Sequence, residues 1–247
     1  MSAVYQDPQV ARTYMKRRFL TSWQRLLHQV QVQAVQAACQ TSSPETLLEI
    51  APGPARIAVD LDIGTPGYMV EFSREMIIQA QKRLDAAGKQ HLWQIIHGSA
   101  FDLDRIHALP EKIDFIYSFR LIRHFKYLDR QRVYRQVRAR LAPQGLFMFD
   151  LVNRSVREKL DRKTPPKDAL PVYDVTYTKE GFLQEMAKNR FEVIQMQPVL
   201  THFPWQSWIS IKLYDIFPAY HEKIIQVLEQ IPSKTPLEWI ALCRPLG

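Results

Sequence analysis

An apolar run, Thr46 to Ile50, breaks off at Ala51-Pro52-Gly53-Pro54-Ala55. About twenty residues later a second run, Tyr68-Met69-Val70, closes on the acid Glu71. A strand, a turn of small residues and an acid at the end of the next strand describe a nucleotide-binding half of a doubly wound sheet. Small residues suit the turn because a ligand must approach the backbone there. An acid suits the second position because ribose presents two hydroxyls and a carboxylate has two acceptor oxygens.

The rest of the chain repeats the alternation. Residues 9 to about 39 read as one long helix or two joined ones, with Phe19, Trp23, Leu26, Leu27 and Val30 at helical spacing; Thr41-Ser42-Ser43-Pro44 ends them. Strands are expected at Thr46–Ala51, Tyr68–Phe72, Trp93–His97, Ile113–Phe119, Leu146–Val152, Phe191–Val199 and Leu237–Cys243. Helices are expected from about Arg56, from Ser73 to Ala87, over the arginine-rich stretch 129–141, at Lys179–Asn189 and at Ala219–Ile231. Such alternation predicts a mainly parallel sheet with helices on both faces.

The dinucleotide fingerprint G-x-G-x-x-G is not met, since Ala51-x-Gly53-x-Ala55 has one glycine. With Glu49 before it, the turn resembles motif I of class I S-adenosylmethionine-dependent methyltransferases, an acid followed by G-x-G-x-G; Ala51 and Ala55 depart from it by a methyl each. The resemblance extends over nearly the whole chain. Glu71-Phe72-Ser73-Arg74-Glu75-Met76 is similar to the family's acid-x-S-x-x-M segment. His97-Gly98-Ser99-Ala100-Phe101-Asp102-Leu103 is similar to G-D-A-x-x-L, with Ser99 at the acid's place. Ile113-Asp114-Phe115 through His124-Phe125 is similar to F-D-x-V-x-S-x-x-x-x-H-H, and the final strand fits the family's antiparallel seventh.

The resemblance implies a doubly wound, seven-stranded Rossmann-like sheet, mostly parallel with an antiparallel last strand. An N-terminal helical cap (residues 1–44) would cover a methyltransferase domain (residues 45–247). It implies S-adenosylmethionine as cofactor, held by Glu49, Ala51, Gly53, Glu71, Phe72, Ser99, Ala100, Phe101 and Phe119, with Tyr5 and Tyr14 placed where relatives close tyrosines over the site. Adenine would meet Ser99 or, by geometry, Asp102, which equally reads as a cap of the next turn.

Ligands of open α/β sheets sit outside the carboxyl ends of the strands, which would gather Glu49, Glu71, Ser99, Phe119, Arg120 and Asn153 in one crevice. A general base is required only for a hydroxyl or protonated amine acceptor. His124 is the candidate, against a structural role behind the pocket. Arg120 and Arg123 could clamp an anionic group, or one could neutralise the cofactor's carboxylate. The aromatic stretch His202–Trp208, read as a loop, offers Trp205 as an acceptor-pocket wall, or else a satellite cluster.

The chain carries a net charge of +8. That keeps a nucleic-acid methyltransferase open beside the favoured small-molecule one. The arginines of 129–141 also read as a solvated helix face, and Arg154–Lys167 as a charged loop able to meet an anionic partner. No appended binding module and no N-P-P-Tyr-like motif supports the nucleic-acid reading. A non-catalytic cofactor-binding or interaction protein is the third alternative and a nicotinamide-dependent oxidoreductase a distant fourth. Two cysteines without metal-ligand spacing, no secretory signal and no apolar run of membrane length point to a cytoplasmic protein without a metal.

Overall fold

The computed structural model describes residues 7–163, 173–213 and 220–247; Tyr5 and residues 164–172 lie outside them. Two helices open the chain. The first, α1 (Pro8–Arg18), starts where the Asp7 carboxylate accepts the Gln9 N–H at 2.7 Å, with Pro8 in the first turn. The second, α2 (Ser22–Ser42), ends at Ser43, whose left-handed backbone (φ 44°) returns its N–H to the Cys39 carbonyl at 2.8 Å.

Eight strands follow: β1 (Leu47–Ile50), β2 (Gly67–Glu71), β3 (Trp93–His97), β4 (Ile113–Ser118), β5 (Leu141–Asn153), β6 (Thr176–Tyr177), β7 (Phe191–Val199) and β8 (Glu238–Pro245). Their order is β3-β2-β1-β4-β5-β8-β7. The pairs from β3 through β5 are parallel, β8 lies antiparallel between β5 and β7, and the two-residue β6 extends the far end of β5 in parallel. The seven expected strands are therefore present, with β6 as an addition too short for a period-two pattern to reveal. Helices α3 (Arg74–Ala86), α4 (Tyr127–Arg140), α5 (Arg154–Lys163), α6 (Lys179–Lys188), α7 (Phe203–Lys212) and α8 (His221–Gln230) complete the fold. Ser73 caps α3 by accepting the Met76 N–H at 3.3 Å. One core lies between the sheet and α2, around Leu26, Val35, Leu47, Phe115 and Ile240; the other lies on the opposite face, around Ile116, Val133, Phe149 and Phe182. Among the described residues no helix is long and apolar enough to cross a membrane.

Four expectations need correction. No α-helix begins at Arg56: residues 53–60 form a run of turns with only scattered i→i+4 bonds, Val59 to Ala55 and Leu61 to Ile57. Gly64, Pro66 and the start of β2 leave too few residues for a nucleated helix. Pro143-Gln144-Gly145 is not a turn before the fifth strand but a bulge within it. There Ile113 pairs with Leu141 and Phe115 with Leu146. A side chain at Gly145 would stand 2.9 Å from the Ile113 carbonyl oxygen, so the bulge closes only around glycine. The stretch His202–Trp208 is helical, because Pro204 opens α7 and Ile209 packs inward. Arg154–Lys163 is helical too, with Val156 buried against the core.

Candidate active site

A cavity of about 490 Å³ opens at the carboxyl ends of β1, β2 and β4. That size lies in the range of small-molecule and cofactor sites. Its floor is the turn after β1. Ala51, Gly53 and Ala55 all have left-handed backbones, with φ of 55°, 57° and 55°. The two alanines thus hold the conformation that glycine adopts freely, at about 1–2 kcal/mol each. A Cβ built on Gly53 meets nothing within 4 Å, so the turn turns open backbone towards the cavity.

Two carboxylates flank that turn. Glu71, ending β2, accepts the Gly53 N–H at 3.0 Å and the Ser73 N–H at 2.8 Å. Burial raises its pKa, and those backbone donors offset only part of the rise. Glu49, on β1, is 3% exposed and accepts the Tyr117 hydroxyl at 3.0 Å. Burial pushes its pKa up to about 7, with the Tyr117 bond and the Arg56 charge pulling the other way. Arg56 spans from the cavity to α2: it meets His28 Nδ1 at 2.8 Å and the Gln31 side chain at 2.6 Å. His28 in turn reaches Asp60 at 2.6 Å. Because a guanidinium only donates, His28 Nδ1 accepts and its Nε2 carries the proton to Asp60.

The opposite wall comes from the segment after β4. His124 sits in a single tight turn, Ile122–His124. Its Nδ1 lies 2.9 Å from the Tyr173 carbonyl, which can only accept. The proton is therefore on Nδ1 and Nε2 holds a lone pair. That Nε2 is buried and has no hydrogen-bond partner among the described residues. Burial lowers the pKa below the usual 6.5; the Tyr173 bond and the Asp174 charge pull it up, and the charges of Arg123 and Arg120 add lesser lowering effects. The imidazole is neutral at neutral pH.

Behind His124 lies a buried ion cluster. Arg123 forks onto Asp174 at 2.6 and 2.7 Å, and its Nη1 meets Glu238 at 2.8 Å and Asp150 at 3.3 Å. Burial would raise the Asp174 carboxyl, but the Arg123 bonds and charge outweigh it and hold it below its usual range. Asp150 Oδ1 also accepts the Arg120 backbone N–H at 2.6 Å and so fixes the left-handed Arg120 (φ 62°) at the cavity.

Of the residues expected in the site, Tyr14, Glu49, Ala51, Gly53, Glu71, Phe72, Phe101, Phe119, Arg120 and His124 line the cavity. Five do not. Ser99 turns its hydroxyl back to accept the Phe101 N–H at 3.2 Å, and Ala100 is core. Arg123 is spent on the carboxylates behind the wall. Asn153 starts α5, donating to the Pro236 carbonyl at 2.8 Å and accepting from Ser155. Trp205 is 64% exposed on α7. Asp102 pairs with Arg132 at 2.6 Å and caps no turn with its side chain. Arg132, Arg140 and Arg130 depart from a purely solvated face: Arg140 binds the carbonyls of Leu103 and Pro110, and Arg130 is buried in a two-point pair with Glu185 at 2.8 and 2.9 Å.

Sequence reasoning missed Arg56, Tyr173, Lys126 and Asp129, which also line the cavity. Arg56 left a signal, as the one charge in an apolar stretch directly after the turn. Tyr173 contributes a backbone carbonyl, which no side-chain pattern announces.

The family model described as "Methyltransferase domain" matches residues 47–145. Among solved structures, an S-adenosylmethionine-dependent methyltransferase from Clostridium acetobutylicum superposes with a TM-score of 0.60 at 12% identity, covering 87% of this chain and 91% of that one. Magnesium protoporphyrin IX methyltransferase from Synechocystis, with bound S-adenosylhomocysteine, gives 0.60 at 10% identity over 91% and 85%. A glycopeptide N-methyltransferase gives 0.58 at 16% identity over 87% and 89%. No curated protein sequence matches the chain. The fold is that of the class I S-adenosylmethionine-dependent methyltransferases.

Proposed function

From the methyltransferase domain at residues 47–145 and the class I fold around it, we propose that this protein binds S-adenosylmethionine and transfers its methyl group to a small-molecule acceptor. The observation that carries the reading is the pair of buried carboxylates, Glu49 and Glu71, flanking an open left-handed turn with no helix behind it. A pyrophosphate-containing nucleotide would meet two carboxylates there, without the helix N-terminus that dinucleotide sites use to hold phosphate. A cationic ligand with a ribose diol suits the same groups: Glu71 accepts hydroxyls, and a nearby positive charge favours the ionised form of Glu49.

S-adenosylmethionine, when bound, supplies a methyl group already activated on a positively charged sulfonium. The chain's residues have three tasks. Glu71, Gly53 and Phe72 hold and orient the nucleoside. Phe119, Phe125 and Leu121, all nearly fully buried, keep water from the reacting atoms. His124 Nε2 would take the proton of an acceptor hydroxyl or amine, with Tyr173 holding the imidazole in the required tautomer. Against a nucleic-acid acceptor, Arg130 and Arg140 of the basic helix are engaged inside the fold. The two cysteines, both buried and free, agree with a reducing compartment.

Calorimetric titration with S-adenosylmethionine, S-adenosylhomocysteine and NADH tests the reading. We expect micromolar binding of the first two and none of the third. Glu71→Ala should weaken the first two by roughly 1–3 kcal/mol. No binding of either sulfur compound to the folded protein would overturn the proposal in favour of an interaction protein of the same fold.

A further inference from the structure

Helices α7 and α8 pack on each other and on α2, and beyond the apolar residues they bury, both turn further apolar residues outward. On α7 the inward residues are Gln206, Ile209 and Ser210, and the outward ones are Trp205, Trp208 and Ile211. Gln206, fully buried, donates to Glu229 at 2.7 Å, and Ser210 accepts the Trp23 N–H at 3.2 Å. On α8 the exposed apolar residues Ile224 and Val227, with Ile231 just beyond its end, recur on one stripe at three- and four-residue spacing. The Trp205 and Trp208 rings stand edge to face at 6.3 Å, so the indoles form one surface. Exposed apolar surface of this kind is a contact surface by default.

The charges around it say what it contacts. The two helices carry two carboxylates, and both are paired within the chain, Glu222 at the surface with its side chain 47% exposed. Glu222 pairs with Arg25 at 2.6 Å, and Glu229 accepts the N–H groups of Leu200 and Thr201 at 2.9 and 3.1 Å. Among the described residues, the exposed charges of the two helices without an opposite charge beside them are Lys212 and Lys223. Tryptophan and isoleucine facing out, lysine at the border and a chain of net charge +8 match the chemistry of an anionic bilayer surface. There apolar side chains enter the headgroup boundary and cations meet phosphates. A second copy would bring lysines against lysines.

We propose that the α7–α8 face docks this protein reversibly on anionic phospholipid. The inference is independent of the methyl-transfer reading. The test is flotation of the full chain with vesicles of phosphatidylcholine and phosphatidylglycerol in equal parts, against pure phosphatidylcholine. Tryptophan emission is followed in the same samples. The expected result is retention on the anionic vesicles only, with blue-shifted emission and loss at high salt. The paired change Trp208→Ser with Val227→Gln should lower vesicle affinity by roughly tenfold or more, with S-adenosylmethionine affinity as the control for folding. Lys223→Glu should weaken binding to anionic vesicles alone. Absence of binding to either vesicle would overturn the proposal, as would undiminished binding by the paired variant. Sedimentation showing a dimer that the paired variant dissolves, without vesicle binding, would assign the face to a second copy instead.

Discussion

The two walls of the cavity are built by different means. The β1–β2 wall is local. Glu71 is fixed by the N–H of Ser73, two residues on, and of Gly53, eighteen residues back, across neighbouring parallel strands. The β4 wall is assembled at long range. Arg123 draws together Asp150, Asp174 and Glu238, which lie 27, 51 and 115 residues away. Through that cluster it fixes the backbone on which Tyr173 sits beside His124. A wall of the first kind tolerates change one residue at a time. A wall of the second kind fails as a unit, because one guanidinium is the shared partner of three carboxyl groups.

The largest effect should come from the long-range wall. In the reading proposed above, His124→Gln removes the Nε2 lone pair, and turnover should fall roughly 10²–10⁴-fold with S-adenosylmethionine affinity unchanged. The pH profile gives the sign. The pKa of His124 lies below its usual value, so wild-type turnover should be flat at and above neutral pH and fall on the acid side, and the variant should lack that limb. An unchanged rate would make His124 a backing residue and erase the chemical contrast between the walls.

Arg123→Met should follow. It leaves Asp150 and Glu238 buried without their cation and should cost about 3–5 kcal/mol of stability, read from the denaturant midpoint. A loss within the range of an ordinary surface substitution would mean that the cluster does not act as a unit.

Glu49 tests the local wall through pH. Its folded pKa of about 7 stands above the ordinary 4.5, so the folded protein holds a proton that the unfolded chain releases. The stability this gives is complete below about pH 4.5 and is lost as pH rises towards 7, the reverse of a salt-bridged carboxylate. Glu49→Gln should therefore flatten the stability profile across that window, by on the order of 2–3 kcal/mol between its ends; Glu71, raised in the same sense, keeps a residual slope. Identical urea midpoints for the two proteins at pH 5 and 7.5 would show Glu49 to be ionised throughout.

The smallest effect belongs to the turn. Ala51→Gly relieves a left-handed alanine but adds freedom to the unfolded chain, for a net gain of about 0.5 kcal/mol. A loss instead would show that the methyl packs usefully against the cavity floor.

The fold was largely legible because its strands and most helices carry their own signals. Trp93–His97 falls on the expected residues, and Ser73 caps the helix it was expected to open. The failures share a cause. Pro143-Gln144-Gly145 has turn chemistry, but the partner strand decides whether such residues end a strand or bulge within one. The stretch after Gly53 has helix-compatible residues, but the short path to β2 denies it length. In the site, Glu49, Glu71, Phe119 and Arg120 gather at strand ends as expected, whereas Ser99 and Asn153 do not line the cavity. Arg123, Asn153 and Trp205 were misplaced because a polar or aromatic residue near a strand end can turn either way, and only its distant partners settle which.

By itself the sequence determined the order of the seven longer strands and most of the helices between them, the small-residue turn after β1 and the acid that closes β2. These depend on hydrophobic period, capping and local sterics, all of which act within a few residues. Only the tertiary structure decided that Ala51 and Ala55 take glycine's backbone, that burial lifts Glu49 to about 7, and that Arg123 serves the wall rather than the cavity. It also decided that α7 turns Trp205, Trp208 and Ile211 outward and α8 turns Ile224 and Val227 outward. Desolvation, ion pairing and the facing of a helix are properties of what surrounds a residue, and the surroundings exist only once distant segments have met.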